Sequence, residues 1–172
     1  MYVVDQHNHR VQKFTTDGTY ILHWGEAGTR DGQFNLPWGV TVDPQGNVYV
    51  ADWRNDRIQK FTSAGAFVAQ WGGSGTGDGR FARPHAVTVD AVGNVYVADT
   101  FNHRVQKFTP DGVFLARWGS PGTGAGQLQA PQGVAVSPDG LTLVVHNFMD
   151  RTVGVYDLSR LVQYGECSMP LL

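Results

Sequence analysis

The chain has 172 residues, of which 41% are hydrophobic and 12% aromatic, and its formal net charge is −2. This composition is typical of a folded globular protein and excludes a disordered chain or one whose total charge would attract nucleic acid. The single cysteine, Cys167, excludes an internal disulfide bond. The sequence contains no apolar run as long as a membrane span or a signal-peptide core, so we expect no membrane partner and leave the compartment open.

The sequence repeats itself every 47 residues. Three similar strings, YVVDQHNHRVQKFTTDG, YVADWRNDRIQKFTSAG and YVADTFNHRVQKFTPDG, begin at Tyr2, Tyr49 and Tyr96. A tryptophan followed by glycine closes each copy, at Trp24, Trp71 and Trp118. A period of this size indicates a supersecondary unit that cannot bury its own apolar face and must stack on its neighbours.

Each repeat is predicted to contain four β-strands. In the second repeat, the runs rich in β-branched and aromatic residues are GVTVD, NVYVAD, RIQKFT and AFVAQWG, and turn residues separate them. A glycine recurs between strands three and four, at Gly18, Gly65 and Gly112, where a tight hairpin needs a positive φ. Runs such as VYVA are apolar on both faces, which favours small antiparallel sheets stacked radially as a β-propeller.

Through the recurring strings NHRVQKFT, PxGVxVD and GNVYVAD, the chain resembles an array of NHL repeats over about residues 1 to 145. The resemblance implies an all-β propeller, or an arc of one, made of four-stranded antiparallel blades; such propellers most often have six. We expect about four blades, the first lacking its inner strand. The predicted extents are 1–25 for partial blade 1, 36–72 for blade 2, 83–119 for blade 3, 130–165 for a divergent blade 4 and 166–172 for a tail.

The last repeat departs from the pattern. Counting in periods of 47, Arg151 keeps the arginine that opens strand three, but His146 stands where the other repeats end strand two with aspartate. Val153 and Gly154 replace the Gln-Lys pair of the other copies. This unit is interpreted as a related but different type of blade, whose fourth strand is weak.

The first blade is predicted to leave a strand edge unpaired, because Met1 falls where strand two of a blade begins. Three explanations are open: the chain is a fragment of a larger propeller, an oligomer closes the ring, or four blades close on themselves. A heterologous contact that fails to close would instead produce a filament.

Several recurring residues are interpreted as scaffold. An aspartate ends strand two and an arginine opens strand three in each of the first three repeats, at Asp5, Asp52, Asp99, Arg10, Arg57 and Arg104. Such a pair is expected to cap the hairpin, and the repeated tryptophans are expected to pack between blades. The glycine-rich connections lack the Lys-Ser/Thr ending of a P-loop. Asp31 and Asp78 do not form a repeating calcium-ligand set, because position 125 is alanine, so we expect no metal site.

Residues that vary against the constant frame are the candidates for ligand recognition. Trp38, His85 and Gln132 each follow a proline directly before strand one, and propeller geometry would place them near the mouth of the central channel. The loops between strands two and three also vary and should emerge on the same face. Together with Arg83, which precedes one of the prolines, they supply the other candidates Trp53, Arg54, Phe101 and Phe148.

This aromatic and cationic mixture predicts a surface that binds a protein or another macromolecule, with self-association through the open edge. The alternative of a single-stranded RNA-binding module is drawn from some animal NHL domains, but it fits poorly with 13 Lys and Arg against 15 Asp and Glu. Another alternative is a metal-dependent lyase, since NHL-like propellers include a zinc-dependent lyase with histidines in the channel. Only His85 occupies such a position here, and no catalytic triad can be assembled, so we expect neither catalysis nor a cofactor.

Overall fold

The computed structural model describes residues 1–159, in which β-strands are joined by turns, short loops and three 3₁₀ helices at Gln6–Asn8, Trp53–Asn55 and Thr100–Asn102. No helix within this region is long and apolar enough to cross a membrane. The strands are β1 (Tyr2–Asp5), β2 (Arg10–Phe14), β3 (Tyr20–Trp24), β4 (Pro37–Val42), β5 (Val48–Asp52), β6 (Arg57–Phe61), β7 (Phe67–Gly72), β8 (Pro84–Val89), β9 (Val95–Asp99), β10 (Arg104–Phe108), β11 (Phe114–Trp118), β12 (Pro131–Val136), β13 (Thr142–Asn147) and β14 (Thr152–Asp157).

The strands form four antiparallel sheets, which are the blades of a propeller array. Blades 2 and 3 have four strands each, in the orders β4-β5-β6-β7 and β8-β9-β10-β11, with β4 and β8 innermost. Blade 1 consists of β1-β2-β3 and the described part of blade 4 of β12-β13-β14. The predicted all-β propeller fold, with a first blade that lacks its inner strand, is confirmed. The fourth strand predicted for blade 4, Cys167 and the tail at 166–172 lie outside the described residues.

The hydrophobic core lies between the blades, because each sheet is apolar on both faces. At the interface of blades 1 and 2, the Phe61 ring lies 5.6 Å from Phe34 and 5.7 Å from Trp24, measured between centroids. One period later, the same arrangement recurs between blades 2 and 3 in Phe108, Phe81 and Trp71. The repeated tryptophans Trp24 and Trp71 therefore pack between blades, in line with their interpretation as scaffold.

The Asp–Arg pair is buried and also holds the loop that leads into its own blade. Arg57 Nε donates to Asp52 Oδ2 at 2.8 Å, and both side chains are buried. The two terminal nitrogens donate to the carbonyls of Thr29, Arg30 and Gln33 and to Gln70 Oε1. A guanidinium has five N–H donors, so Arg57 has none left for a ligand. Arg104 repeats this arrangement with Asp99, Thr76, Gly77 and Arg80.

The interchange of histidine and aspartate at one repeat position has a structural explanation. In each of blades 1 to 3 this residue is left-handed and accepts a hydrogen bond from the backbone N–H just before the next inner strand. His9 Nδ1 accepts from Leu36, Asp56 Oδ1 from Arg83 and His103 Nδ1 from Ala130. The position requires a hydrogen-bond acceptor, and histidine and aspartate side chains both provide one.

The period of 47 fails by one residue in blade 4, so the interpretation of His146 and Arg151 is wrong. Strand two ends at Asn147, which pairs with Thr152 as Asp99 pairs with Arg104 in blade 3. Arg151, with a φ of 57°, takes the left-handed position of His103 rather than that of the structural arginine. The hairpin before β13 is closed by the Ser137–Thr142 backbone hydrogen bond and is one residue longer than its counterparts, which shifts the strands that follow.

Candidate binding face

A β-bulge at the start of each inner strand sets the direction of one variable side chain. The register of the β4–β5 ladder shifts between Pro37 and Val40, around Trp38, and that of the β8–β9 ladder between Pro84 and Val87, around His85. Bulges of this kind redirect a side chain and are frequent beside functional sites. Because the residue before each proline is held in a left-handed conformation by the preceding blade, the bulge is anchored from both sides.

Trp38, Trp53 and His85 come together as a group that we term the Trp–His cluster. The centroid distances are 4.6 Å between Trp38 and His85, 5.6 Å between Trp53 and His85, and 6.1 Å between the two indoles. Trp38 is 46% exposed, whereas His85 is only 4% exposed. The cluster joins β4, the loop after β5 and β8, so it spans blades 2 and 3 and presents one open aromatic face.

Two arginines lie against the Trp–His cluster without a carboxylate partner. The Cζ atoms of Arg54 and Arg83 lie 5.5 Å and 5.1 Å from the Trp53 ring centroid, within the range of a cation–π contact. Arg83 Nη1 donates to the backbone carbonyl of Arg54 at 3.2 Å, which also fixes their separation. Within residues 1–159, neither guanidinium forms an ion pair. The cluster therefore carries two guanidinium groups that no carboxylate binds directly; the neighbouring Asp56 carboxylate accepts from the Arg83 backbone N–H instead.

The orientation of His85 is set by a hydrogen-bond relay. Thr100 Oγ1 donates its proton to the Pro131 carbonyl at 2.7 Å and lies 3.0 Å from His85 Nδ1. Since the Thr100 proton is committed, His85 Nδ1 carries a hydrogen and donates to Oγ1, and Nε2 carries the lone pair. Burial lowers the pKa of His85, with a smaller opposing effect from the Arg83 carbonyl, so the ring is neutral at neutral pH.

The Nε2 atom of His85 has no hydrogen-bond partner in the described part of the chain. The hydrogen bonds of His85 all involve Nδ1. In the described part of the chain, the fully buried side-chain nitrogens without a partner are the indole nitrogens of Trp24, Trp53 and Trp71. Nε2 is not among them, so this unpartnered atom keeps some contact with solvent although His85 as a whole is only 4% exposed.

The remaining candidates lie on the same face but do not contact the Trp–His cluster through their rings or side-chain hydrogen bonds. Phe101 is 58% and Phe148 56% exposed, in the loops that follow β9 and β13. Gln132 is partly buried at the start of β12 and, among the contacts described, makes no side-chain hydrogen bond. The structure thus brings Trp38, Trp53, Arg54, Arg83 and His85 together and leaves these three apart.

Sequence reasoning missed two residues of this face. Thr100 was not among the candidates, yet it is buried and orients His85. Met149 was not singled out, because the one-residue insertion in blade 4 was not recognised. Its backbone N–H bonds to the Gln129 carbonyl as those of Arg54 and Phe101 bond to Asn35 and Ala82, and its side chain is 67% exposed. The longer turn SPDGLT, compared with DAVGN in blade 3, was the available signal.

A separate cleft beside the incoming loop of blade 2 offers little chemistry. It has a volume of about 420 Å³ and is lined by Thr29, Asn55, Arg57, Gln70 and Trp71, together with two glycines. Its buried cation, Arg57, is saturated with hydrogen bonds. Over residues 1–159, no three metal-ligating side chains lie close enough to share an ion, and Asp78 is paired with Arg117 at 2.9 Å.

Comparisons with known proteins agree with the fold. The family model described as NHL repeat matches residues 34–61 and 81–108. Virginiamycin B lyase from Staphylococcus aureus, in a catalytically inactive form with quinupristin, has a TM-score of 0.68 and 16% identity, over 99% of this chain and 51% of that chain. For Kuenenia stuttgartiensis hydrazine synthase the TM-score is 0.68 and the identity 15%, over 99% and 46%.

A protein of unknown function from Bacteroides caccae has a TM-score of 0.61 and 18% identity, over 89% of this chain and 52% of that chain. At these identities the likeness shows the fold alone. The chain spans about half the length of these structures. No curated protein matches the sequence.

Proposed function

Because this chain contains NHL repeats, we propose that it is a non-catalytic propeller scaffold that binds a protein through the face carrying the Trp–His cluster. The observation that supports this proposal is the exposed Trp38 beside two arginines that lack a carboxylate partner. Aromatic and arginine side chains grouped at one spot are typical of the residues that dominate binding energy at protein interfaces.

The absence of catalysis is part of the proposal. In the Trp–His cluster, His85 is the one side chain that could exchange a proton near neutral pH, and its Nδ1 is committed to Thr100. Two of the matched structures carry enzyme names, but their low identity transfers no activity to this chain. Zinc in a stoichiometric amount after purification would overturn this part of the proposal in favour of a metal-dependent enzyme.

We further propose that β1 pairs with another copy of the chain or with another propeller segment. In the described sheet, β1 is bonded on one side to β2, and its other edge carries no strand. An exposed edge supplies main-chain donors and acceptors for β-augmentation. Light scattering after size exclusion tests this: a discrete multimer supports self-pairing, and a monodisperse monomer contradicts it.

Selection of phage-displayed random peptides on the immobilised protein tests the binding proposal. We expect enriched peptides to bind the wild type and to lose binding to Trp38→Ala. The matched control is Tyr20→Ala, which removes an aromatic side chain of similar exposure from the outer strand of blade 1. Absence of enrichment, or equal loss with both variants, would overturn the proposal.

Single-stranded RNA is the competing ligand. Fluorescence polarisation of a labelled random RNA should show no binding that depends on both salt and Trp38. Binding with these two dependences would replace the protein-binding proposal by the nucleic-acid one.

A further inference from the structure

We infer that the face recognises a peptide segment that combines an acidic side chain with apolar neighbours; this inference rests on the proposed function and specifies its partner. In it, the acidic group binds Arg54 and Arg83, a backbone N–H of the segment donates to His85 Nε2, and apolar side chains pack on the exposed residues of blades 3 and 4. Each element follows from a separate observation.

The charge requirement comes from the two arginines on one indole. Both guanidiniums lie within 5.5 Å of the Trp53 ring centroid, so they are held near each other against their mutual repulsion. Arg54 makes no side-chain hydrogen bond within residues 1–159, and Arg83 makes one, so most of their N–H donors are unused. A carboxylate placed between them would relieve the repulsion and accept charge-assisted hydrogen bonds.

The apolar requirement comes from the neighbouring blades. The two loop positions that hold Trp53 and Arg54 in blade 2 recur in blades 3 and 4. The inner strands of these blades are neighbours, since β4 contacts β8 and β8 contacts β12. Blade 3 carries Thr100 and Phe101 there and blade 4 carries Phe148 and Met149. Three of these four side chains are apolar and mostly exposed. At these loop positions, the charged side chain is thus confined to blade 2, at one end of an apolar row.

This distribution favours a peptide over a nucleic acid. A phosphate backbone carries a charge at every step and binds best to a cationic track, whereas the equivalent loop positions beyond Arg54 are apolar. A peptide with one or two acidic residues followed by apolar residues matches this order, in which the arginines of blade 2 are followed by the apolar loop residues of blades 3 and 4. A peptide also offers backbone N–H groups, one of which can donate to the unpartnered His85 Nε2.

The test uses peptides enriched by the display selection on the wild-type chain. We expect their sequences to contain aspartate or glutamate next to apolar residues. In fluorescence polarisation, Arg54→Gln and Arg83→Gln should each weaken binding about tenfold, the loss expected for a charge-assisted hydrogen bond. Arg30→Gln is the matched control, because Arg30 is an exposed loop arginine whose side chain makes no described bond, and it should change affinity less than about twofold.

The apolar half is tested separately. Phe101→Ser should weaken binding of the same peptides. The control is Val92→Ser, which replaces an exposed apolar residue in the hairpin between β8 and β9 and should leave binding unchanged. Replacing the acidic residues of the peptide by their amides should remove the difference between the wild type and Arg54→Gln. Thermal melting of each variant establishes that it is folded.

The outcomes separate this inference from the proposed function. Enriched peptides without acidic residues, or binding unaffected by both arginine variants, would overturn the inference while Trp38-dependent binding still supported the scaffold function. If no peptide is enriched, both fail. RNA binding that depends on Arg54 would also overturn the inference, by showing that the arginines serve phosphate groups.

Discussion

Replacement of Arg57 by methionine tests whether the buried clamp on the incoming loop supports the fold. Methionine keeps much of the side-chain volume but removes all five donors. It leaves the Asp52 carboxylate fully buried, with hydrogen bonds from Asn35, Asn55 and Gln59 but without its countercharge. Burial raises the pKa of Asp52, and Arg57 is one of the groups that oppose this effect.

The expected loss follows from burial of the pair. Removing one partner of a buried ion pair costs about 3–5 kcal/mol. The Thr29 carbonyl and Gln70 Oε1 lose the bond from Arg57 as well, whereas the Arg30 and Gln33 carbonyls keep bonds from the Gln33 N–H and from Gln59 Nε2. Thr29 is exposed, so water replaces part of that loss. We therefore expect the free energy of unfolding of Arg57→Met to fall by about 4 kcal/mol.

Arg10 provides a control inside the same chain. It makes the same 2.8 Å bond to Asp5, but the two side chains are 32% and 22% exposed, compared with 8% and 0% for Arg57 and Asp52. Arg10→Met should therefore lower stability far less. Urea denaturation of both variants, with the slope checked for constancy, gives the comparison. Equal losses in the two variants, or a loss below about 1 kcal/mol for Arg57→Met, would refute the argument from burial. If Arg57→Met does not fold, Arg57→Lys, which keeps the charge but not the fork of donors, should show an intermediate loss.

Three further predictions concern single positions. Because burial lowers the pKa of His85, its contribution to stability is complete above about pH 6.5 and is lost as the pH falls through the lowered value. The urea midpoint should therefore fall less between about pH 7.5 and pH 5.5 in His85→Phe than in the wild type. An equal fall in both proteins would contradict this. His103→Asp should melt close to the wild type, since aspartate does the same work in blade 2, whereas His103→Leu should lose about 1 kcal/mol; equal melting of the two variants would show that no acceptor is needed. Gly112→Ala should destabilise more than Gly46→Ala by about 1–3 kcal/mol in chemical denaturation, because both glycines have positive φ but only a Cβ at position 112 meets the Trp71 ring, at 2.6 Å; equal losses would contradict the steric argument.

The repeat pattern predicted the parts of the fold that depend on one blade. Four strands, their turns and the Asp–Arg hairpin pair recur at constant spacing, so their physical causes are visible in a single copy of the repeat. The clamp of Arg57 on residues 29–33 was not predicted, because those partners are backbone carbonyls, which carry no sequence signature. The sequence placed Trp38 and His85 near the mouth of the central channel but did not predict that their rings would be in contact.

The errors in blade 4 have one cause. Comparison at a fixed period of 47 detects substitutions but not an insertion, and the additional residue in the turn before β13 moved each later equivalence by one. Arg151 seemed to keep the pattern because an arginine happens to lie one residue before the true position. Thr100 was missed for a different reason: its role depends on the carbonyl of Pro131 in the next blade, which no pattern within its own repeat can reveal.

The clamp on the incoming loop has a consequence for the order in which the chain folds. Arg57 contacts residues that lie 24–28 positions before it, whereas Lys60, on the same strand, reaches the Pro110 carbonyl of the next blade 50 positions later. Because shorter loops close at a lower entropy cost, a blade and the loop that enters it should assemble first, and docking between blades should follow. During synthesis on the ribosome, each blade would then fold with its incoming loop first. The tryptophan on its outer strand would stay exposed until the next blade folds and packs against it.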